Sequence, residues 1–271
     1  VSTQDLTNLA ALKAWLGLPA TVTPSDATLA SLVTSSSRWI YAALSRPFLL
    51  PTACSDTLDA ESKRVFLRHW PVLSVTSVTL DGLAIPPATP ATGAPSLGYA
   101  LRPDDPAPPG RPQALDLFHL RLWPGRQNLT VAYTAGYAVQ GESGVAPVGA
   151  PLQAQAPYGP WAGDLGVTLS ATQSPLAAVA GPPGPGQYAV AGGLYTFNAA
   201  QAGAGVAISY GYIPQDLWQA TLELAAERFR AGDRIGLRSK SLGGQETIAY
   251  DVGAISAPVL AMIQPYRRTA I

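Results

Sequence analysis

The sequence predicts an α+β protein: an antiparallel helix-bundle core with β-hairpins, plus an inserted β-rich domain of sandwich or barrel type. Three observations predict it. Apolar residues recur at three- and four-residue spacing near the start of the chain and again after Pro214, the signature of helices with one buried face. Between those stretches the pattern shifts to short alternating runs broken by Gly and Pro, as strands and turns require. Charge then nearly vanishes over residues 138–212, where only Glu142 and Asp164 carry it.

The elements follow in order. Residues 5–16 read as a first helix, with Leu6, Leu9, Leu12 and Leu16 at helical spacing and Gly17 with Pro19 ending it. Pro24-Ser25-Asp26 signals the start of a second helix. Its stripe of Leu29, Leu32, Val33, Ser36, Trp39, Ile40, Ala43 and Leu44 holds until Pro47. Amphipathic helices joined by a short loop are antiparallel by default. Residues 65–72 and 75–85 are expected as strands, and Asp81-Gly82 between apolar runs predicts a hairpin with a type I′ turn. From residue 86 to 112 there are nine prolines and no steady period, which predicts a long surface loop. Two more strands are expected at 115–120 and 128–133.

One internal echo organises the middle of the chain. Leu129-Thr130-Val131-Ala132-Tyr133-Thr134-Ala135-Gly136-Tyr137 resembles Val206-Ala207-Ile208-Ser209-Tyr210-Gly211-Tyr212, each a strand ending on Gly-Tyr. The simplest account is an insertion over 138–212, placed between a strand and the helix that once followed it. The division expected is therefore 1–137 with 213–271 as one domain and 138–212 as another. No fixed period recurs, so a repeat architecture is not expected.

After Pro214 a helix is predicted with Trp218, Thr221, Leu222, Ala225 and Phe229 on one stripe. Residues 231–246 follow, with four glycines and three basic residues. They form an arm in which Arg234, Arg238, Lys240 and Leu242 are candidates for subunit contact or channel lining. Such a mixture of charge and exposed apolar anchors is usually ordered by a partner. A last short helix is expected with Ser256 as N-cap and Pro258 in the first turn. Val259, Leu260, Ile263 and Tyr266 form its apolar stripe, and Arg267 and Arg268 suit its negative C-terminal pole.

Composition narrows the function classes. Charged residues make up 13% of the 271, about half the usual share, and the net charge is zero. That balance argues against a general polyanion binder. A surface so poor in charge is weakly protected against association and suits a subunit buried in an assembly. Cys54 is the sole cysteine, so there is no disulfide framework and no thiolate metal cluster. His69 and His119 are expected as strand residues, and Asp104-Asp105 as a solvated turn in the Pro-rich loop. No nucleophile elbow, phosphate-binding loop or paired-histidine motif is present, so neither catalysis nor any cofactor or metal is expected. Tyr158, Trp161, Tyr188, Tyr195 and Phe197 raise an alternative, a carbohydrate-binding platform, although such residues more often form core and cross-strand pairs. No apolar run reaches membrane-span length. A start at Val1 fits removal of an initiator Met, with synthesis expected in a cytoplasm-like compartment.

Several stretches resemble the head–tail connector (adaptor) proteins of long-tailed phages and gene-transfer agents. They are Leu9-Ala10-Ala11-Leu12-Lys13-Ala14-Trp15-Leu16-Gly17, Trp39-Ile40-Tyr41-Ala42-Ala43-Leu44-Ser45-Arg46, His69-Trp70-Pro71-Val72 and Tyr133-Thr134-Ala135-Gly136-Tyr137. The likeness is strongest from Ile213-Pro214-Gln215-Asp216-Leu217 to Ser239-Lys240-Ser241-Leu242-Gly243-Gly244-Gln245-Glu246. The resemblance implies a structural virion neck protein, assembled in the host cytoplasm. It would form a homo-oligomeric ring of about twelve subunits that joins the portal to the stopper or tail and surrounds the DNA exit channel. It implies portal docking through the C-terminal segment, with Val259, Leu260, Ile263, Tyr266, Arg267 and Arg268 as the interface. Non-specific contact with passing DNA is expected, and membrane contact is not. A virion decoration or receptor-binding protein acting through residues 138–212 is the alternative.

Overall fold

The computed structural model describes residues 5–89, 95–102, 113–120, 125–232, 239–242, 246–249 and 255–268. The expected helix-bundle core with attached hairpins is overturned. The protein is mostly β, with four helices and several, chiefly antiparallel, sheets among the described residues. The reason lies in what periodicity detects. The helices announce themselves through long amphipathic repeats, whereas the strands run from two to nine residues and many sit in Pro- and Gly-rich sequence that breaks alternation. The chain divides into two compact units, one built from residues up to Pro47 and from Pro214 onward, the other spanning Phe48–Ile213.

The first unit holds helices α1 (Leu9–Leu16), α2 (Asp26–Leu44), α3 (Gln215–Gly232) and α4 (Ala257–Ile263). Helix α1 begins later than its apolar spacing suggests because Asn8 caps it, its Oδ1 accepting from the Ala11 amide at 2.9 Å. Gly17 ends it at φ 72°, and the Gly17 and Leu18 amides donate to the Ala14 and Lys13 carbonyls. Buried Lys13 ties the next loop down: its Nζ donates to the Ala20 and Val22 carbonyls and pairs with Asp26 at 2.8 Å. Leu12, Leu29, Val33, Leu222, Ala225 and Ala226 form the core of this helical unit.

The second unit opens with β1 (Thr52–Leu58), β2 (Arg64–Phe66), β3 (Val72–Leu80), β4 (Leu83–Ile85), β5 (Gly98–Leu101), β6 (Ala114–Phe118) and β7 (Leu129–Ala135). Two sheets result, ordered β1-β7-β3-β4 and β2-β6-β5. Asp81 and Gly82 hold φ values of 51° and 80°, the positive pair that a type I′ turn needs. Strand β5 lies inside the stretch expected to be only loop. Gly98 makes it possible, since at its φ of 153° a Cβ would strike the Pro86 carbonyl oxygen and the Ala88 amide. Strand β1 was not legible as alternation either. One buried polar knot pins this half. The Tyr133 hydroxyl donates to Asp56 at 2.7 Å and accepts from the His69 amide, while the Arg68 amide donates to the same carboxylate.

The rest of the unit comprises β8 (Ala138–Val145), β9 (Leu152–Gln153), β10 (Trp161–Leu169), β11 (Ala177–Ala178), β12 (Gln187–Ala191), β13 (Leu194–Phe197) and β14 (Gly205–Tyr212). These make sheets β10-β14-β8 and β11-β12-β13-β9. Their core cluster, including Val167, Tyr188, Tyr195, Val206, Ile208 and Tyr210, draws only on residues from this stretch. Its two ends meet: Gly211 pairs with Ala138, and the Tyr212 amide donates to the Tyr137 carbonyl at 3.2 Å. The echoed Gly-Tyr endings share one location. A Cβ on Gly136 would lie 2.5 Å from Pro51, and one on Gly211 would lie 3.2 Å from Leu50 and Pro51. The following tyrosines, both buried, meet edge-on with ring centroids 5.8 Å apart.

Candidate docking site at the C-terminal segment

The last described segment is short and depends on its neighbours. A seven-residue helix has no independent stability in water. Ser256 precedes α4 at extended geometry but makes no side-chain capping bond, and Pro258 occupies the first turn. What holds the segment is the helical unit around it. Val259, Ile263 and Tyr266 are all buried. The Tyr266 hydroxyl donates to Asp216 Oδ2 of α3 at 2.9 Å, and Arg46 Nε donates to the Tyr266 carbonyl at 2.8 Å. The Arg268 amide donates to the Leu44 carbonyl at 2.9 Å. Arg46 and Asp216 thus act as two clamps on the segment, and residue spacing within the segment gives no hint of either.

The stripe expected to face a partner is therefore divided. Val259, Ile263 and Tyr266 point into the unit's own core, while Leu260 stays 47% exposed. Arg267 is exposed and Arg268 partly so. Leu260 and Arg267 belong to an open groove of about 540 Å³, lined also by Trp39, Ala43, Ala257, Ala261, Gln264 and the edge of the largely buried Ile263. Its lining combines small side chains with an indole, a leucine and a guanidinium. That combination suits an apolar anchor with an acidic neighbour.

The arm candidates are not brought to this groove by any described contact. Arg234 and Arg238 lie outside the described residues. Lys240 and Leu242 fall on strand β15 (Ser239–Leu242), which pairs antiparallel with β16 (Glu246–Ala249), Lys240 opposite Ile248 and Leu242 opposite Glu246. Part of the expected extended arm is thus a hairpin.

Of the aromatics of 138–212, Tyr188, Tyr195, Tyr210 and Tyr212 are buried, while Tyr158, Trp161 and Phe197 are partly exposed. Tyr188 and Tyr195 are buried with their hydroxyls donating to Asp164, and Trp161 Nε1 donates to the Tyr195 hydroxyl at 3.1 Å. The Tyr210 hydroxyl donates to Glu142 at 2.5 Å and accepts from the Ala156 amide. Burial, and then these carboxylates, hold the Tyr188 and Tyr210 phenols well above the usual tyrosine range. Both charges of the stretch are thereby committed to internal hydrogen bonds. Among the described residues no group of three metal-ligating side chains occurs, and no helix is long and apolar enough to cross a membrane.

No protein-family model matches the chain, and no curated protein matches it. Among solved structures, the chain is similar to one described as "Neck of empty GTA particle computed with C6 symmetry". Identity is 16%, the alignment covers 97% of this chain and 90% of that chain, and the TM-score is 0.37. A likeness of that size assigns nothing by itself.

Proposed function

We propose that the protein is a structural subunit of a virion neck, forming a ring of about twelve copies between the portal and the stopper or tail and around the DNA exit channel. The observation that carries this reading is the groove beside α4. It lies in the segment through which the resembled connectors dock, and it leaves Leu260 and Arg267 open while Val259, Ile263 and Tyr266 hold the segment to its own unit. Portal docking then needs no unfolding of the segment: the outward face receives the partner. Residues 138–212 form an outer decoration, a reading favoured by their self-contained core and adjoining ends. The carbohydrate-binding alternative has less support, because Tyr188 and Tyr195 turn their rings into the interior.

The test is capture of the full chain by portal rings. Wild type should bind, and Leu260→Glu and Arg267→Glu should each weaken capture at least tenfold with an unchanged melting temperature. Capture of Leu260→Glu at wild-type strength would sink the docking assignment.

A further inference from the structure

The hairpin joining β3 to β4 ends in a fixed, uncovered tip. Leu80 and Leu83 stand opposite each other across its two-residue turn, yet Leu80 is buried. Leu83 is 71% exposed, the most exposed leucine among the described residues. Asp81 is exposed too, and its carboxylate has no hydrogen bond or ion pair among the described residues. The positive φ values of Asp81 and Gly82 set the turn, and the Asp81 amide donates to the Asn128 carbonyl at 2.9 Å. A Cβ on Gly82 would meet nothing within 4 Å, so the tip stands clear of its own chain. A carboxylate and a leucine are thus held on one preorganised turn.

The outward face of sheet β2-β6-β5 has the complementary chemistry. Val65, Tyr99, Leu115 and Leu117 turn into the core, which leaves Arg64, Phe66 and Asp116 on the other side. Arg64 Nε and Arg102 Nε pair with the two Asp116 oxygens at 2.8 and 3.1 Å. Among the described residues each guanidinium spends only that nitrogen, so the Nη groups of both stay available. Two guanidiniums on one carboxylate leave one positive charge unmatched, while Glu61 and Lys63, just before β2, offset each other. Phe66, 43% exposed, adds apolar surface on the same face.

We infer that the Asp81–Leu83 tip of one copy docks on the Arg64, Phe66 and Arg102 face of a second copy. Leu83 packs on the Phe66 ring, and Asp81 joins Asp116 on the two arginines, which completes the charge balance. An exposed ion pair contributes little by itself, so the apolar contact supplies affinity and the charges supply orientation. Tip and face are different surfaces, so the contact is head-to-tail and repeats from copy to copy. Only the closing of these contacts into a ring rests on the neck reading. The β-strands, not the glycine-rich arm, then carry this contact between subunits.

Sedimentation velocity of the full chain at about 100 µM and about 50 mM salt tests it, since a weak, charge-steered contact is populated there. Wild type should form dimers and larger species. Leu83→Glu spoils the tip and Phe66→Glu spoils the face. Each should be monomeric with an unchanged melting temperature, because both positions are exposed. Mixed in equal amounts, the two variants should form a one-to-one dimer and nothing larger, since each keeps the surface the other has lost. Asp81→Asn keeps the turn and removes only the charge, so it should weaken association about threefold and remove most of its salt dependence. Monomeric wild type, association of Leu83→Glu at wild-type strength, or a mixture that stays monomeric would overturn the inference. So would Asp81→Asn with the salt dependence of wild type. Loss of association in Arg267→Glu would also overturn it and send the tip to the α4 groove. Portal capture is read separately: Leu83→Glu and Phe66→Glu should both still be captured through Leu260. Wild type that associates but is not captured would sink the neck reading and leave this contact standing.

Discussion

At the residue scale, the protein uses tyrosine hydroxyls as ties between strands and carboxylates. Tyr133 to Asp56, Tyr188 and Tyr195 to Asp164, and Tyr210 to Glu142 each satisfy a partly or wholly buried acceptor. Tyr210→Phe would orphan both the Ala156 amide and one Glu142 oxygen, and should cost about 1–3 kcal/mol in urea unfolding. The same ties set an alkaline limit. Unfolded tyrosines ionise near pH 10. In the folded state Tyr41 is pushed up to about 12 by burial and then by Asp5, and Tyr133, Tyr188, Tyr195 and Tyr210 are pushed higher still. The folded-state values are raised, so this contribution is complete below pH 10 and is lost as pH rises through the folded values. The urea midpoint should hold from pH 8 to about 9.5 and fall steeply by pH 11. Tyr188→Phe should make that fall shallower.

At the element scale, α4 is a short helix that exists because α2 and α3 hold it. Tyr266→Phe removes the bond to Asp216 and should lower stability by about 1–2 kcal/mol by the same unfolding measurement. Truncation after residue 254 removes three buried apolar side chains from the unit as well as the groove wall, so it would test stability and docking together. Surface changes at Leu260 separate the two. The helices were legible because Leu29, Val33, Ile40 and Leu44, and likewise Leu222 and Ala225, repeat their spacing over several turns. The Asp81-Gly82 hairpin was legible because its turn chemistry is local. Strands β1, β5 and β8 were not. Thr52–Leu58 alternates poorly in burial, β5 owes its place to what surrounds Gly98, and Ala138–Val145 has no buried residue. The weight of β-structure in the whole was therefore underestimated. Of the candidate site, Leu260 and Arg267 were readable from the apolar stripe and its basic end. The inward turn of Val259, Ile263 and Tyr266 was not, because a stripe shows that a face is buried and does not say against what.

At the scale of the whole molecule, residues 138–212 explain the low charge of the chain. The two carboxylates they contain serve internal hydrogen bonds, which leaves a neutral surface suited to the outside of a crowded assembly. Their beginning and end lie together at Gly136, Tyr137, Gly211 and Tyr212. Excising 138–212 and joining Tyr137 to Ile213 should leave the sheet containing β3 and β7 folded, as amide exchange would report, while the loss of the Tyr137–Tyr212 contact lowers stability modestly. Collapse of the remaining sheet core on excision would contradict an insertion. The central claim is that this chain is a neck subunit docked through the outward face of α4. Electron cryomicroscopy of the full chain bound to portal rings tests it most directly. The account predicts a closed ring under the portal with Leu260 and Arg267 at the contact and Val259, Ile263 and Tyr266 still buried in their own subunit. A ring that meets the portal through any other surface, or no ring on the portal at all, would contradict it.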